Sequence, residues 1–316
     1  MSIADALSRL EGSSLGSLAD LQPDEFIGLL DLADAVKKDR DAYRDRLKNT
    51  THALIFEKHS TRTRVSFEVG LKEVGAGSLF LSSNDIQLGR GESIADTARV
   101  LSRYVQGIVI RTFGQDRFDT MVEYSSVPVI NALTDKYHPC QILADFQTVR
   151  EHRGDLKGKT LTWVGDGNNV AHSILYGCAL AGMHARVAFP KGYDCDADVV
   201  RKAEEIAAAT GGSVELLHDP VAGVGGADVV VTDVFTSMGQ EDETQARLRD
   251  FAGFQVNEAL MAKADTRAVF LHCLPAHRGE EVTEGVLEGP QSLVWDEAEN
   301  RLHAQKALML ALHGAL

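Results

Sequence analysis

A hydroxyl- and arginine-rich turn is the strongest chemical signal in this sequence. It reads Ser60-Thr61-Arg62-Thr63-Arg64 and lies between an apolar extended stretch and a helical pattern. The first amide groups of a helix have no intrahelical acceptor and the helix dipole is positive there, so this turn suits an anion. Hydroxyls and the planar fork of a guanidinium are typical phosphate ligands. The plainer interpretation is a capped helix with a charged first turn, but cations are unfavourable at that end unless an anion is bound.

Other polar side chains follow directly on predicted strands. Ligand sites of open α/β sheets form at the carboxyl ends of the strands, so catalytic and binding groups are expected at these positions. The residues are Arg111, His138, Gln141, Asn168, Asn169, Asp233, His272 and Cys273. A lone histidine more often has a structural role, but its position after a strand makes His138 a candidate for proton transfer or hydrogen bonding.

A glycine turn, Gly165-Asp166-Gly167-Asn168-Asn169, follows one strand and resembles the start of a dinucleotide-binding fingerprint. The third glycine of that fingerprint is absent, and the next strand ends without a carboxylate that could hold a ribose. We therefore interpret the segment as a tight turn that presents two asparagine amides at a helix start. Such a turn suits the carboxylate of a ligand.

Two later segments admit both a plain and a functional interpretation. Asp233, Ser237 and Gly239 form a turn, or they bind an ammonium group in a loop that the glycine allows to move. Cys273 is a small buried residue, as most cysteines are, or part of a site. A nucleophilic cysteine needs an adjacent base, and the neighbouring His272 should point to the opposite face of the strand. Covalent catalysis by Cys273 is therefore not expected.

Alternating strand and helix patterns must position these groups. The predicted strands are 52–57, 78–82, 107–112, 127–131, 160–165, 185–189, 213–217, 227–233, 268–272 and 292–295. The predicted helices include 92–104, 116–125, 140–152, 170–182, 196–210 and 242–252. This alternation is typical of parallel sheets with helices on both faces. Ten strands are too many for one compact sheet, so we predict two open α/β domains that divide near 140–152.

The composition is that of an ordinary globular protein. Of the 316 residues, 44% are hydrophobic and 25% are charged, and the formal net charge is −14. The negative charge argues against general nucleic-acid binding, although a local arginine cluster can still bind an anionic substrate. Four scattered cysteines favour neither a disulfide scaffold nor a metal site, and the N-terminus has no basic segment typical of a signal peptide. Since no apolar run is long enough to span a membrane, we expect a cytoplasmic protein without a membrane or nucleic-acid partner.

Four of these motifs together resemble those of the ornithine carbamoyltransferases in residue type, order and spacing. They are Ser60-Thr61-Arg62-Thr63-Arg64, His138-Pro139-Cys140-Gln141, Asp233 with Ser237-Met238-Gly239, and His272-Cys273-Leu274-Pro275. The first two mark transcarbamoylases in general, and the last two mark the ornithine branch. Phe235 stands where many members of the family have Trp, which is a mild departure.

The resemblance implies a homotrimer, or a multiple of trimers, of chains with two α/β domains linked by two interdomain helices. A carbamoyl phosphate domain would comprise 1–139 with the C-terminal helix 297–316. An ornithine domain would comprise 153–296, and 140–152 would be an interdomain helix. The resemblance also implies that sites lie at subunit interfaces and that Gln87 reaches into a neighbouring subunit's site.

The implied reaction transfers the carbamoyl group from carbamoyl phosphate to the side-chain amine of L-ornithine, giving L-citrulline and phosphate. An amine attacks a carbonyl carbon and phosphate departs, so the protein supplies positioning and charge stabilisation. No metal, cofactor or covalent enzyme intermediate is expected. The attacking amine must be neutral, and because alkylamines have a pKa of about 10, activity is expected to rise into the alkaline range.

The resemblance also assigns roles to the carbamoyl phosphate site. The groups for the phosphate are Ser60, Thr61, Arg62 and Thr63, and Gln87 from a neighbouring subunit also belongs to the carbamoyl phosphate site. The groups for the carbonyl oxygen are Thr63, Arg111, His138 and Arg301. The groups for the carbamoyl NH2 are Gln141 and the backbone of Leu274, with Cys273 close by. Catalysis would depend on Arg111, His138, Cys273 and Arg301.

The ornithine site is assigned in the same way. Asn169 and the Met238 backbone would bind the ornithine carboxylate, and Asp233 and Ser237 would bind its α-ammonium group. Cys273, oriented with Asp233, would aim the side-chain amine.

Other functions remain open on the sequence alone. An aspartate enzyme would need cations for a second carboxylate where this chain has Asp233. A putrescine enzyme would leave Asn169, Asp233 and Ser237 without a ligand group. Acetylornithine is a further possible acceptor. A non-catalytic phosphate- or amino-acid-binding protein would not need His138, Arg111 and Cys273 to converge on one point. An NAD oxidoreductase is the remaining alternative.

Overall fold

A computed structural model of the chain describes residues 2–82, 91–237 and 239–316. Two predicted site residues, Gln87 and Met238, lie outside these described residues.

The chain divides into two compact units. Unit 1 comprises Met1–Gln147 together with Glu299–Leu316, and unit 2 comprises Thr148–Ala298. Both divisions fall inside long helices, Pro139–Arg153 and Val294–Leu312. Each unit has its own sheet, so each is described by itself.

Unit 1 is built around a sheet of four parallel strands. They are β1 (Thr51–Phe56), β2 (Gly77–Ser82), β3 (Gly107–Arg111) and β4 (Val129–Leu133), in the order β2-β1-β3-β4. β3 and β4 are buried along their whole length, and β1 is buried except at its first residue. Continuous apolar runs of this kind are expected where both faces of a parallel sheet are covered. The edge strand β2 is partly exposed.

Seven helices contribute to unit 1 within the described residues. They are α1 (Ile3–Leu7), α2 (Pro23–Lys38), α3 (Thr61–Glu73), α4 (Ile94–Leu101), α5 (Gln115–Tyr124), most of α6 (Pro139–Arg153) and most of α13 (Val294–Leu312). The end of α13 is apolar and buried, whereas Lys306, in its middle, is buried as an ion pair with Glu73 of α3 at 2.7 Å. This pair fixes α3 against α13.

Unit 2 has a sheet of five parallel strands. They are β5 (Thr160–Val164), β6 (His184–Ala188), β7 (Ser213–Leu217), β8 (Val229–Thr232) and β9 (Val269–His272), in the order β7-β6-β5-β8-β9. β8 and β9 are fully buried, while the edge strand β7 is largely exposed.

The helices of unit 2 follow its strands. They are α7 (Asn169–Ala181), α8 (Ala197–Thr210), α9 (Pro220–Val224), α10 (Thr244–Asp250), α11 (Glu258–Met261) and α12 (Glu284–Leu287). An aromatic cluster fills the core beside β8 and β9, where the Phe235 ring stacks on Phe251 with 4.6 Å between centroids. Phe235 is thus a core residue, which explains why an aromatic side chain stands at this position.

The fold class predicted from the sequence is confirmed, with one error among the predicted strands. The predicted strand 292–295 is wrong: Ser292 makes a single bridge to Phe270, and α13 begins at Val294. Asp296 and Glu297 lie in the first turn of that helix, where acidic residues are favoured by the dipole.

Two findings bear on the class of protein. Within the described ranges, every helix is too short or too polar to cross a membrane. None of the four cysteines, all of them described, forms a disulfide.

Candidate functional site

The strand order of each sheet marks where its ligand crevice is expected. The order reverses between β1 and β3 in unit 1 and between β5 and β8 in unit 2. Ligands of open α/β sheets bind outside the carboxyl ends of the strands at such switch points. The segments that leave these four strands carry the predicted site residues 60–63, Arg111, Asn169 and Asp233. The topology therefore brings the sequence candidates to the expected edge of each sheet.

In unit 1, α3 begins at the predicted anion site. Ser60 is the N-cap residue, and its Oγ accepts a hydrogen bond from the backbone N–H of Thr63 at 3.2 Å. Thr61 is exposed and Arg62 is half-buried, whereas Thr63 is buried. A short stretch of chain thus offers hydroxyls, a guanidinium and the positive end of a helix to one ligand.

The second arginine of this turn has a different environment. Arg64 Nε donates to Glu68 Oε1 at 3.1 Å, and its guanidinium lies 3.6 Å from the centroid of the Phe80 ring. These local contacts compensate its charge at the unfavourable end of the helix. Of the two arginines at this helix start, we therefore assign Arg62 to the anion.

A buried hydrogen-bond network ties α13 and α6 to this helix start. Arg301 Nη2 donates to Thr63 Oγ1 at 3.1 Å, and Arg301 Nη1 donates to Gln141 Oε1 at 2.6 Å. Gln141 Nε2 donates in turn to Asp145 Oδ1 at 2.8 Å. All four side chains are almost completely buried. Buried and mutually bonded groups of this kind are held in place before any ligand arrives.

Gln305 extends this network by one helical turn. With its amide oriented to satisfy both neighbours, Gln305 Oε1 accepts from Arg301 Nη2 at 2.9 Å and Gln305 Nε2 donates to Ser66 Oγ at 2.6 Å. Ser66 Oγ donates to the backbone carbonyl of Arg62 at 2.7 Å. The guanidinium of Arg301 is thus oriented from two sides, by α6 and by its own helix.

His138 and Arg111 complete the charged part of unit 1. Arg111 ends β3, where the register with β4 shifts, and its side chain is buried. Burial, followed by the positive charges of Arg301 and Arg111, holds the pKa of the His138 imidazole well below its usual value. His138 is therefore neutral at pH 7. Two buried guanidiniums near a neutral imidazole make an electropositive place that suits an anionic ligand.

In unit 2, the turn after β5 is as tight as the sequence predicts. A Cβ at Gly167 would lie 2.4 Å from backbone atoms of Asp194 and of Cys195, so only glycine fits. Asn168 Oδ1 caps α7 by accepting from the second and third helical N–H groups at 2.9 and 3.2 Å. Asn168 is therefore a structural cap. Asn169, the first residue of the helix, is the amide that we assign to a ligand carboxylate.

The loop after β8 carries the predicted ammonium ligands. Asp233 is buried, and its Oδ1 accepts from the next backbone N–H at 2.8 Å. The backbone N–H of Ser237 donates to Gln240 Oε1 at 3.1 Å. Gly239 has a φ of 92°, a left-handed conformation that favours glycine.

Arg247 joins this loop to the glycine turn. Its Nη1 donates to Asp166 Oδ2 at 2.7 Å and to the carbonyl oxygen of Phe235 at 3.1 Å. Its Nε donates to Glu243 Oε2 at 2.8 Å. One buried guanidinium thus links the segment that follows β5 with the segment that follows β8.

The end of β9 places a thiol beside a carboxylate. Ligand atoms of Asp233, His272 and Cys273 all lie within 4.8 Å of one another. Both ring nitrogens of His272 have partners, because Nδ1 accepts from Leu274 N–H at 2.9 Å and Nε2 lies 3.1 Å from Glu281 Oε1. Since both ring nitrogens of His272 are already hydrogen-bonded, neither is available as a base for Cys273.

Hydrogen bonds bring several predicted residues together, but the sequence did not indicate some of their partners. The partners that were missed are Asp145, Gln305, Arg247 and Glu281. Asp145 and Gln305 each follow a predicted residue by four positions on a helix, and that spacing could have indicated them. Arg247 also bonds Asp166, which is 81 positions away, and no local pattern indicates that contact.

Comparisons with protein families match both halves of the chain. The model described as aspartate/ornithine carbamoyltransferase, carbamoyl-P binding domain, matches residues 14–151. The model described as aspartate/ornithine carbamoyltransferase, Asp/Orn binding domain, matches residues 157–312.

Individual proteins of similar sequence and structure agree with these matches. An ornithine carbamoyltransferase from Oceanobacillus iheyensis is 53% identical, with 96% of this chain and 95% of that protein covered. One from Acidothermus cellulolyticus is 57% identical, with 92% and 93% covered. The solved ornithine carbamoyltransferase from Pyrococcus furiosus has a TM-score of 0.94 and 49% identity, with 97% of this chain and 99% of that chain covered.

Proposed function

This chain belongs to the aspartate/ornithine carbamoyltransferase family, and from that premise we propose how its residues carry out the reaction. Its activity is that of an ornithine carbamoyltransferase: it transfers the carbamoyl group of carbamoyl phosphate to the side-chain amine of L-ornithine, giving L-citrulline and phosphate. The residue roles, the assembly and the cellular setting below are proposals.

Carbamoyl phosphate binds at the start of α3 in this proposal. Ser60, Thr61, Arg62 and Thr63 hold the phosphate, with the helix dipole adding to the attraction. The observation that carries the proposal is the bond from buried Arg301 to Thr63 at 3.1 Å, because it places a second guanidinium beside that helix start. The family resemblance adds Gln87 of a neighbouring subunit.

The carbonyl oxygen gains negative charge as the amine attacks. Arg111, Arg301, His138 and Thr63 stabilise that charge from fixed positions, which is more effective than mobile water because no reorganisation is needed. The depressed pKa of His138 supports a hydrogen-bonding role for this residue, since its imidazole is neutral when the substrate binds. Gln141 and the Leu274 backbone hold the carbamoyl NH2, and the departing phosphate can accept the released proton.

Ornithine is bound by groups of unit 2. Asn169 and the Met238 backbone take the carboxylate, while Asp233 and Ser237 take the α-ammonium group. Cys273 aims the side-chain amine together with Asp233, a role supported by the closeness of their ligand atoms. The Gly167 turn and the Arg247 link support this proposal, because they hold the segments that follow β5 and β8.

We further propose a cytoplasmic homotrimer, or a multiple of trimers, that serves arginine biosynthesis without a cofactor or metal. The trimer and the neighbouring-subunit role of Gln87 rest on the family resemblance. The acidic net charge of −14 supports the absence of a nucleic-acid partner.

Comparing acceptors in one assay tests the proposal. Citrulline formation from carbamoyl phosphate is measured with L-ornithine, and carbamoyl transfer is measured with putrescine, acetylornithine and L-aspartate. We expect ornithine to exceed the others by about a hundredfold or more in kcat/KM, because the other amines leave carboxylate or ammonium ligands unpaired. Equal use of putrescine would contradict the assignment of Asn169, Asp233 and Ser237.

A further inference from the structure

We propose that His272 and Glu281 form a positioning pair that sets the backbone of turn 273–275, and with it the placement of Cys273 and Leu274. This inference rests on the proposed function, which assigns the Leu274 backbone to the carbamoyl NH2 and Cys273 to the ornithine amine. Neither His272 nor Glu281 is assigned a contact with substrate.

The pair is completely enclosed by protein. The side chains of His272 and Glu281 both have no exposed area, and their closest atoms, His272 Nε2 and Glu281 Oε1, are 3.1 Å apart. An apolar side chain of similar volume would fill this space at lower desolvation cost. Packing alone therefore does not explain why two polar side chains occupy this space.

The hydrogen bonds define the tautomer of His272. Nδ1 accepts from the backbone N–H of Leu274 at 2.9 Å, so Nδ1 cannot carry a proton. The ring proton must lie on Nε2, where it is donated to Glu281 Oε1. Glu281 thus selects the imidazole form that can hold the Leu274 N–H, as the partner of one ring nitrogen commonly does for the other.

The held residue has an unusual backbone. Leu274 has a φ of 57°, in the left-handed region that non-glycine residues seldom occupy, and such a conformation persists only where the surroundings enforce it. The bond from Leu274 N–H to His272 Nδ1 enforces it here. Fixing the Leu274 N–H and φ also fixes where its carbonyl carbon lies, and so helps to position the carbonyl group that we assign to the carbamoyl NH2.

Two more bonds anchor the segment on either side. The backbone N–H of His272 donates to Glu297 Oε2 at 2.9 Å, and the backbone N–H of His277 donates to Glu281 Oε1 at 2.6 Å. Glu281 therefore holds both the ring of His272 and the far end of the turn. The thiol of Cys273 is carried between these anchors.

Asparagine and glutamine separate the two functions of the His272 ring. Asn places its side-chain oxygen near the Nδ1 position, so His272→Asn can keep the hydrogen bond from the Leu274 N–H but loses the hydrogen bond to Glu281. Gln places its side-chain nitrogen near the Nε2 position, so His272→Gln can keep the hydrogen bond to Glu281 but loses the hydrogen bond from the Leu274 N–H. Both are measured by steady-state kinetics with both substrates, by inhibition with norvaline, an unreactive ornithine analogue, and by thermal unfolding.

We expect His272→Gln to lower kcat about ten- to hundredfold, because a misplaced reacting group costs that much. His272→Asn should keep a kcat at least about fivefold higher than His272→Gln. Norvaline inhibition should change less than about threefold in both, because Asn169, Asp233 and Ser237 bind its carboxylate and ammonium groups. This split between turnover and ligand binding is not expected from general destabilisation.

A matched control removes a buried hydrogen bond elsewhere in unit 2. Thr162 Oγ1 donates to the Gly223 carbonyl at 2.8 Å, and Thr162→Val should lower the unfolding temperature without changing kcat. Equal kcat losses in the two His272 variants, or a greater loss in His272→Asn, would overturn the inference. If the two His272 variants do not fold, the inference is tested at Glu281 instead. Glu281→Gln should then have a kcat about tenfold higher than that of Glu281→Leu. A wild-type chain that made no citrulline would refute the proposed function instead.

Discussion

The groups that we assign to carbamoyl phosphate and those that we assign to ornithine are held in different ways. In unit 1, Arg301, Thr63 and Gln141 are buried and bond to one another through their side chains. In unit 2, Asp233 and Ser237 lie on the segment that leaves β8, and their hydrogen bonds involve the backbone of that same loop. One set is fixed by packing between helices, and the other by the course of a loop.

This difference follows from what each substrate requires. Charge develops on the carbonyl oxygen of carbamoyl phosphate, and fixed buried donors stabilise such charge most effectively. Ornithine must enter and citrulline must leave at every turnover, which a loop can accommodate more easily than a packed helix interface. We therefore expect substitutions in unit 1 to affect turnover and substitutions in the unit 2 loop to affect ornithine binding.

The strongest test removes the central guanidinium of unit 1. Arg301→Gln should lower kcat about a hundred- to thousandfold, because it removes a fixed donor from the developing charge. Steady-state citrulline formation measures the loss, and Arg99→Gln, at an exposed pair on α4, is the control that should keep full activity. A loss below about tenfold would mean that preorganisation in unit 1 is not what limits turnover.

A pair of substitutions in one helical turn tests the anion site itself. Arg62→Gln should raise the KM for carbamoyl phosphate about ten- to hundredfold, as the loss of a charge-assisted contact implies. Arg64→Gln is the matched control and should leave that KM nearly unchanged, because Arg64 is bonded to Glu68. Similar effects of the two substitutions would indicate a diffuse electrostatic attraction in place of a defined site.

We expect acid to lower the unfolding free energy of unit 1, because this unit contains buried histidines. Burial, and then the charge of His313, lowers the pKa of His52 to about 3, and burial also lowers the pKa of His138 and His303. An unfolded histidine has a pKa of about 6.5, so between these values the unfolded state binds a proton that the folded state excludes. Stability is therefore full above about pH 6.5 and falls as the pH drops towards 3.

For His52 alone, the expected loss of unfolding free energy from pH 7 to pH 5 is about 2 kcal/mol. Urea unfolding at the two pH values measures it, and His52→Gln should reduce the difference by that amount. Hydrogen exchange should show the loss in β1, which contains His52. An unchanged pH dependence in the variant would contradict the assignment.

The smallest expected effect concerns the loop of unit 2. Arg247→Lys keeps the charge but loses the planar guanidinium, whose Nη1 bonds Asp166 and the Phe235 carbonyl while its Nε bonds Glu243. We expect the KM for ornithine to rise about three- to tenfold, with the KM for carbamoyl phosphate unchanged. Arg201→Lys, at an exposed pair on α8, is the control. An equal change in both KM values would show that the two regions are not separately held.

Local sequence determined most of the elements and their approximate bounds. Alternating apolar runs predicted the described strands, and the Ser60 cap, the turn at Gly167 and the helix after Pro139 lie where side-chain chemistry placed them. These features depend on interactions within a few residues, which a pattern can represent. The same reasoning failed at 292–295, where a short apolar run precedes helix-forming residues.

Only the tertiary structure decided which of these residues work together. Arg301 meets Gln141 and Thr63 across 160 and 238 positions, so no local spacing could have paired them. A lysine is expected at the surface, but Lys306 is buried and pairs with Glu73. The pKa of His138 is likewise lowered by burial and then by the charges of Arg301 and Arg111, which come from distant segments. Desolvation and Coulomb interactions depend on which distant segments the fold packs together, and the amino-acid pattern of one segment does not contain that information.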